Sequence, residues 1–308
     1  MDVATVVDSR DRYLSDTNTL HGVTIYLFEE DFRKKLSKIT FFFVFSHHKT
    51  IIDMIYFSGT GNSLATARKI AEATGDKVMR MAEAVGQDLS SEECVGLVYP
   101  SYDFAPPPAV KRMLPLLKIS PKAYVFVIIT CGAQAGISSY FARQVMKEKG
   151  IEVSYTHKIR MPDVAGIAYK RNPNKQTWKF QKYASRMKQI IEDIKARRKA
   201  YHFSGWDFLG WLSMHPSFER WATKPFMPKA NTEKCVGCGT CAKVCPVGNI
   251  TIQERAEAKP LAIIGADCTC CLACVHFCPY QAMELGGTQV EKSWQYHHPD
   301  VKLKDMIK

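Results

Sequence analysis

The chain has 308 residues, of which 46% are hydrophobic and 23% charged. That balance belongs to a globular protein of roughly two domains, and it excludes a disordered or collagen-like chain. Lys and Arg number 42 against 30 Asp and Glu, a formal charge of +12. Such a charge raises nucleic acid or an anionic membrane, but no helix-turn-helix or RNA-binding motif accompanies it, so nucleic acid is not expected; the basic surface reads as a solvated face, or as one that could attract an acidic redox partner.

In chain order, residues 1–50 match no motif. Met1 to Leu20 is polar and charged without an apolar signal core, and no stretch of about 18 apolar residues predicts a transmembrane segment. A start at Met54 would open the following domain on its first strand, so the upstream stretch reads equally as a mis-assigned start or as a real extension. Eleven cysteines in a chain this long, without a secretory signal, point to the cytoplasm and to metal binding.

Residues 51–200 have a βα rhythm. Ile51–Phe57 predicts a strand, and Asn62–Thr74 a helix from Leu64, Ala67, Ile70 and Ala71. Val78–Met81 predicts a short strand, Val95–Tyr99 another, and Ala109–Leu117 a helix. Ala123–Thr130 is apolar throughout, as a central parallel strand covered on both faces would be. A helix over 137–149, a strand over 152–159 and an amphipathic helix over 178–197 with a basic outer face complete the pattern. Strands alternating with helices predict a doubly wound α/β sheet. Residues 201–230 form an aromatic connector: Trp206, Phe208, Trp211, Phe218 and Trp221 are expected to pack between modules. Residues 231–290 hold most of the cysteines, and 291–308 are a short polar tail.

Two runs stand out within 231–290. Cys235, Cys238, Cys241 and Cys245-Pro246 repeat as Cys268, Cys271, Cys274 and Cys278-Pro279. Each matches C-x2-C-x2-C-x3-C-P, the pattern that supplies thiolates to two [4Fe–4S] clusters, with the fourth cysteine of each run ligating the other cluster. Cys235, Cys238, Cys241 and Cys278 are therefore expected to hold one cluster, and Cys268, Cys271, Cys274 and Cys245 the other. Structural zinc also uses C-x2-C, but two zinc sites explain the repeated prolines poorly. Cys270 is expected to be a spectator, Cys94 a core residue and Cys131 a packing residue beside a ligand.

The other signal is Ser58-Gly59-Thr60-Gly61-Asn62-Ser63, between a strand and a helix. Backbone N–H groups at a helix N-terminus favour an anion. The loop has no Walker lysine and no G-x-G-x-x-G, so it suits one phosphate monoester. The loops after the next two strands, Pro100–Phe104 and Cys131–Gly136, lie where open α/β sheets bind ligands. Tyr99 or Tyr102 would stack on a flat ring, and N–H groups near Gly132 would meet its edge.

With these residues in view, 54–200 resembles flavodoxin: Ser58–Ser63 matches its FMN phosphate loop. The loops at 99–103 and 130–136 resemble the two that flank isoalloxazine. Residues 231–285 are similar to a bacterial two-cluster ferredoxin. The order resembles the flavodoxin–ferredoxin fusion proteins of anaerobic bacteria and archaea. The resemblance implies a flavodoxin-like doubly wound parallel sheet followed by a small α+β two-cluster ferredoxin domain. It also implies FMN held by Ser58, Gly59, Thr60, Gly61, Asn62, Ser63, Tyr99, Tyr102, Thr130, Cys131, Gly132 and Gly136. The function implied is electron transfer between two [4Fe–4S] clusters and FMN, serving a partner reductase. The alternative is an FMN-dependent oxidoreductase that itself reduces a small acceptor such as a quinone or enone.

Overall fold

The computed structural model describes residues 52–202, 210–211 and 214–307; the stretch 1–50, with Trp206 and Phe208, lies outside them. The first strand, β1 (Ile52–Tyr56), leads through the glycine-rich loop into helix α1 (Asn62–Thr74). Then come β2 (Lys77–Arg80), β3 (Cys94–Pro100), α2 (Pro108–Met113) and β4 (Tyr124–Cys131). Helix α3 (Ser138–Glu148), β5 (Val153–Arg160) and α4 (Lys179–Lys195) complete this part. The strands form one parallel sheet in the order β2-β1-β3-β4-β5. That is the flavodoxin-like arrangement, whose switch point lies between β1 and β3.

The apolar stretch Tyr124–Cys131 is buried along its whole length, as its position in the sheet requires. At the sheet centre Met54, Gly96 and Phe126 stand side by side on β1, β3 and β4. A methyl group on Gly96 would sit 2.4 Å from the Phe126 ring and 2.5 Å from the Met54 sulfur, so glycine there lets two large side chains fill one layer. Helix α4 turns Met187, Ile190 and Ile194 inward; each contributes about 1.5–3 kcal/mol by burial. Its Lys182, Arg186 and Lys188 are exposed, the basic outer face expected of it.

The second part contains a repeat. Helix α5 (Pro216–Thr223) leads to β6 (Pro228–Ala230), α6 (Thr240–Val244) and the antiparallel hairpin of β7 (Ile250–Arg255) and β8 (Ala258–Ile264). Helix α7 (Ala273–His276) and β9 (Met283–Leu285), which pairs with β6, follow. The two cysteine loops share a backbone path. Gly237 and Gly239 have φ of +67° and +74°, and their counterparts Cys270 and Leu272 have +53° and +60°. The N–H groups of Asn249 and Ala282 donate to the sulfurs of Cys245 and Cys278 at 3.3 and 3.2 Å, four residues on in each case. Among the described residues no helix is long and apolar enough to cross a membrane.

The connector departs from expectation. Trp211 and Trp221 are 67% and 71% exposed, and among the described residues of the connector Phe226 is the buried aromatic, edge-on to Tyr169 at 5.7 Å. Helix α5, with eight residues, presents too short an apolar stripe to bury the Trp221 indole. The polar tail is also more than a tail: Tyr296, His298, Val301 and Met306 are all buried.

Candidate functional site

Each set of four cysteines named above faces its own cavity. Cys235, Cys238, Cys241 and Cys278 line one of about 300 Å³, with Val236, Tyr280 and Met283. Cys268, Cys271, Cys274 and Cys245 line another of about 320 Å³, with Ile250, Ile264 and Leu272. Among the described residues no three His, Cys, Asp or Glu side chains converge on a single ion. A [4Fe–4S] cluster asks for four thiolates around a volume, and the donor chemistry of both cavities fits that requirement. Burial, with neighbouring thiols adding to it, pushes the Cys241 thiol up to about 11 and the Cys271 thiol up to about 12. Without iron these sulfurs stay protonated, so loading must release protons. Cys270 lines neither of these cavities: its thiol faces the Thr223 carbonyl at 3.8 Å and the Met227 sulfur at 3.4 Å.

The two cavities differ in access. Cys238 is exposed, and Val236 and Tyr280 beside it are 38% and 51% exposed. Cys271 and Cys274 are buried. The first site thus has one fully exposed cysteine, whereas the most accessible cysteine of the second is the half-buried Cys268.

A third, larger cavity of about 1120 Å³, mouth included, lies at the C-terminal ends of the parallel strands. It is lined by Ser58, Gly59, Thr60, Asn62 and Ser63, by Pro100–Phe104 and by Thr130–Gln134. Met161–Gly166, Tyr169, Thr223, Phe226 and Cys270–Leu272 close it. So it brings together most of the residues expected to meet FMN, and three are left out. Tyr99 is wholly buried in the sheet core, where its hydroxyl donates to the Ser138 carbonyl at 2.7 Å. Strand β3 runs on to Pro100, and its alternation turns Tyr99 inward, so Tyr102 is the tyrosine at the cavity. Gly136 has φ +51° and is pressed against the Phe104 backbone. Gly61, φ +93°, is pressed against Val301 of the tail.

The loop's side chains are partly engaged within the protein. Ser58 Oγ accepts from the Gly61 N–H at 3.0 Å, and Ser63 Oγ and Thr130 Oγ1 are 2.8 Å apart. The Asn62 amide donates to the Pro162 carbonyl at 3.3 Å, and its Oδ1 accepts from the Tyr296 hydroxyl at 2.8 Å. Asn62 is thus a stitch between the tail and the 161–166 loop, and backbone N–H groups are left as the loop's main donors. Sequence reading missed the tail because its contacts are spread over residues with no common motif. The one signal of it is the apolar spacing of Val301 and Met306 within a polar stretch.

Among the ionisable groups that line the cavity are Asp103 at its exposed mouth and the buried Cys131, and the buried His276 lies behind it. Burial first, and then Asp163, raise the Asp103 carboxyl to about 6. Burial pushes the Cys131 thiol up to about 11, so it packs as a neutral thiol. Burial likewise holds His276 down to about 4; neutral, it accepts the Tyr296 N–H at Nδ1 and places Nε2 3.3 Å from the Val164 carbonyl.

The cavities share a wall. Cys271 lines both the enclosed cysteine cavity and the large one. A methyl group added to Gly59 would sit 2.2 Å from the Cys271 carbonyl oxygen, so the glycine-rich loop rests directly on the cysteine loop. Nearby, the Ala109 N–H donates to Thr269 Oγ1 at 3.1 Å.

Comparison with known proteins agrees with this division. Residues 234–293 match the 4Fe-4S dicluster domain, so this part of the chain is a two-cluster ferredoxin domain. A component of an ion-translocating oxidoreductase complex of Methanosarcina acetivorans is 46% identical over 52 residues, 17% of this chain and 18% of that protein. An uncharacterized ferredoxin of Methanocaldococcus jannaschii is 36% identical over 69 residues, 20% of this chain and 40% of its own. The chain therefore spans less than half the length of these relatives. Among solved structures, Megasphaera elsdenii flavodoxin is 21% identical, covering 38% of this chain and 91% of that one, with a TM-score of 0.29. A flavoprotein in complex with FMN from Lactobacillus acidophilus is 11% identical, covering 38% and 96%, also at 0.29. Scores so low carry no argument, and the flavodoxin-like fold rests on the strand order itself. The chain joins that fold to a ferredoxin domain, an electron-transfer architecture.

Proposed function

We propose that this chain passes electrons between an acidic redox partner and FMN held in the large cavity, by way of two [4Fe–4S] clusters. The observation that carries the reading is Cys271, which stands in the wall common to the enclosed cysteine cavity and the large cavity. Cys235, Cys238, Cys241 and Cys278 would hold the outer cluster, and Cys268, Cys271, Cys274 and Cys245 the inner one. Ser58–Ser63 would take the phosphate of FMN, and Tyr102 with the 130–134 loop its ring. When bound, the clusters supply single-electron steps, and the flavin converts these to two-electron chemistry.

The protein's part is placement and exclusion of water. The exposed Cys238, Val236 and Tyr280 leave the outer site open to a partner. The buried Cys271 and Cys274 would limit water at the inner cluster on that side, which with hydrogen bonding to sulfur would set its potential. The chain's positive charge favours an acidic partner. A second reading, reduction of a quinone or enone in the same cavity, draws on one feature. The lining extends past the expected ring loops to Tyr169, Thr223 and Phe226.

Anaerobic purification followed by iron, acid-labile sulfide and flavin analysis tests the reading. About eight iron, eight sulfide and one FMN per chain are expected. Full iron with no flavin, even after FMN is supplied, would leave a ferredoxin joined to an α/β domain of another role.

A further inference from the structure

Three cations grip three consecutive residues of the cavity wall. Lys179 Nζ donates to the Gly132 carbonyl at 2.7 Å, Arg160 Nε to the Ala133 carbonyl at 3.1 Å, and Lys158 Nζ to Gln134 Oε1 at 2.8 Å. Gly132, Ala133 and Gln134 all line the large cavity. Lys179 is the buried member; it also donates to the Met161 carbonyl at 3.1 Å and to Gln176 Oε1 at 2.6 Å. Its three donors are thus all used; the Asp163 carboxylate, packed against Gly132 in the same wall, offsets part of its charge, and Arg160 and Lys158 beside it leave the wall positive on balance. In a trans peptide the N–H points opposite to the C=O, and the chain has no cis bonds among the described residues. With the Gly132 and Ala133 carbonyls turned to the cations, the N–H groups of Ala133 and Gln134 point away from them. Neither has a backbone partner among the described residues. The same cations polarise these amides and strengthen them as donors.

We infer that this wall stabilises negative charge on the edge of a ring bound in the cavity, with Lys179 as the positioning residue that sets its strength. The inference rests on the FMN reading and deepens it. Two electrons, delivered singly from the cluster side, and one proton from solvent leave a reduced flavin ring with one negative charge. A positive wall favours that form over the neutral oxidised ring, so the bound flavin takes up electrons from the cluster side more readily. A preorganised donor set with a buried charge behind it is worth more than the same groups in water. Lys158 and Arg160 sit nearer solvent and are screened by salt, so Lys179 is the member to change.

The test is a spectroelectrochemical titration of the flavin in anaerobic holoprotein, wild type against Lys179→Met, with iron content and FMN affinity measured alongside. Lys179→Met is expected to weaken the preference for reduced over oxidised flavin by about tenfold, a fall of roughly 30 mV in the two-electron midpoint. An Arg160→Gln, Lys158→Gln double variant is expected to move the midpoint the same way by less, and in a salt-dependent manner. This surface variant keeps the question open to test if Lys179→Met does not fold. Midpoints unchanged in both variants, with iron and FMN retained, would overturn the inference and leave Lys179 a structural staple. Failure of the wild type to bind FMN at all would instead overturn the flavin reading, and this inference with it.

Discussion

Cys271→Ala is expected to lose about four of eight iron atoms and, with them, most of its bound flavin. Cys238→Ala is expected to lose the same amount of iron and keep its flavin. The two cysteines are equivalent in the repeat, so the sequence pattern alone predicts no difference between them. The difference comes from where the loops sit. Cys271 touches the glycine-rich loop at Gly59 and lines the large cavity, while Cys238 faces solvent. Collapse of the loop at Cys271 would therefore remove a wall of the large cavity proposed to hold FMN, and collapse of the loop at Cys238 would not. The crossing of the fourth ligands adds a second contrast. Cys278→Ala should behave as Cys238→Ala, and Cys245→Ala as Cys271→Ala, because each lines the cavity of the other run. Iron and flavin analysis of the four variants checks this. If Cys278→Ala tracked Cys271→Ala, the two sets would have to be redrawn.

Truncation after Gln295 is expected to lower stability and release flavin, although it removes no cysteine and no residue of the large cavity. The last segment clasps the glycine-rich loop. The His298 N–H donates to the Thr60 carbonyl at 2.9 Å, the Tyr296 hydroxyl holds Asn62, and Val301 covers Gly61. Asp305 accepts from Arg68 at 3.0 Å, and Arg80 donates to the Ile307 carbonyl. The ion pair is partly solvated and contributes at most about 1 kcal/mol. Burial of Val301 and Met306 contributes about 1.5–3 kcal/mol each, so hydrophobic contact dominates. A fall in melting temperature of roughly 5–15 °C is expected, with a faster loss of FMN on dilution. His298 Nε2 is buried with no hydrogen-bond partner among the described residues, while its Nδ1 accepts the Asp300 N–H at 3.2 Å, so the two effects of His298→Phe should roughly cancel and stability should change little. That result would separate the packing of the clasp from its polar contacts. A truncated chain with unchanged melting and flavin retention would reduce the clasp to an ornament.

Much of this architecture was legible in the residues. The helix over 62–74 is found where its 3- and 4-residue spacing put it. The apolar run near 124–131 is the buried strand its composition required. The cysteine repeat implied that the fourth cysteine of each run serves the other, and Cys245 and Cys278 do line the cavity of the other run. What was not legible depends on contacts distant in sequence. Tyr99 and Tyr102 are near-identical in composition and context, and only the end of β3 decides which one faces the cavity. The connector's tryptophans suggested a packed joint, but indoles also sit in solvent when no apolar face is offered. The shared wall at Cys271 and Gly59 joins residues far apart in the chain, and no local pattern encodes it. Lys179 looked like one more base on a basic helix, yet its amine is turned inward onto the cavity wall.

If flavin and clusters exchange electrons within one molecule through the wall at Cys271, the exchange must be unimolecular. The direct test is anaerobic stopped-flow reduction of FMN-loaded protein by limiting dithionite, following cluster and flavin absorbance together over a tenfold range of protein concentration. Cluster bleaching followed by flavin bleaching at a rate independent of protein concentration is the predicted result. A flavin rate that rises in proportion to concentration, or clusters that stay reduced beside an oxidised flavin, would contradict it.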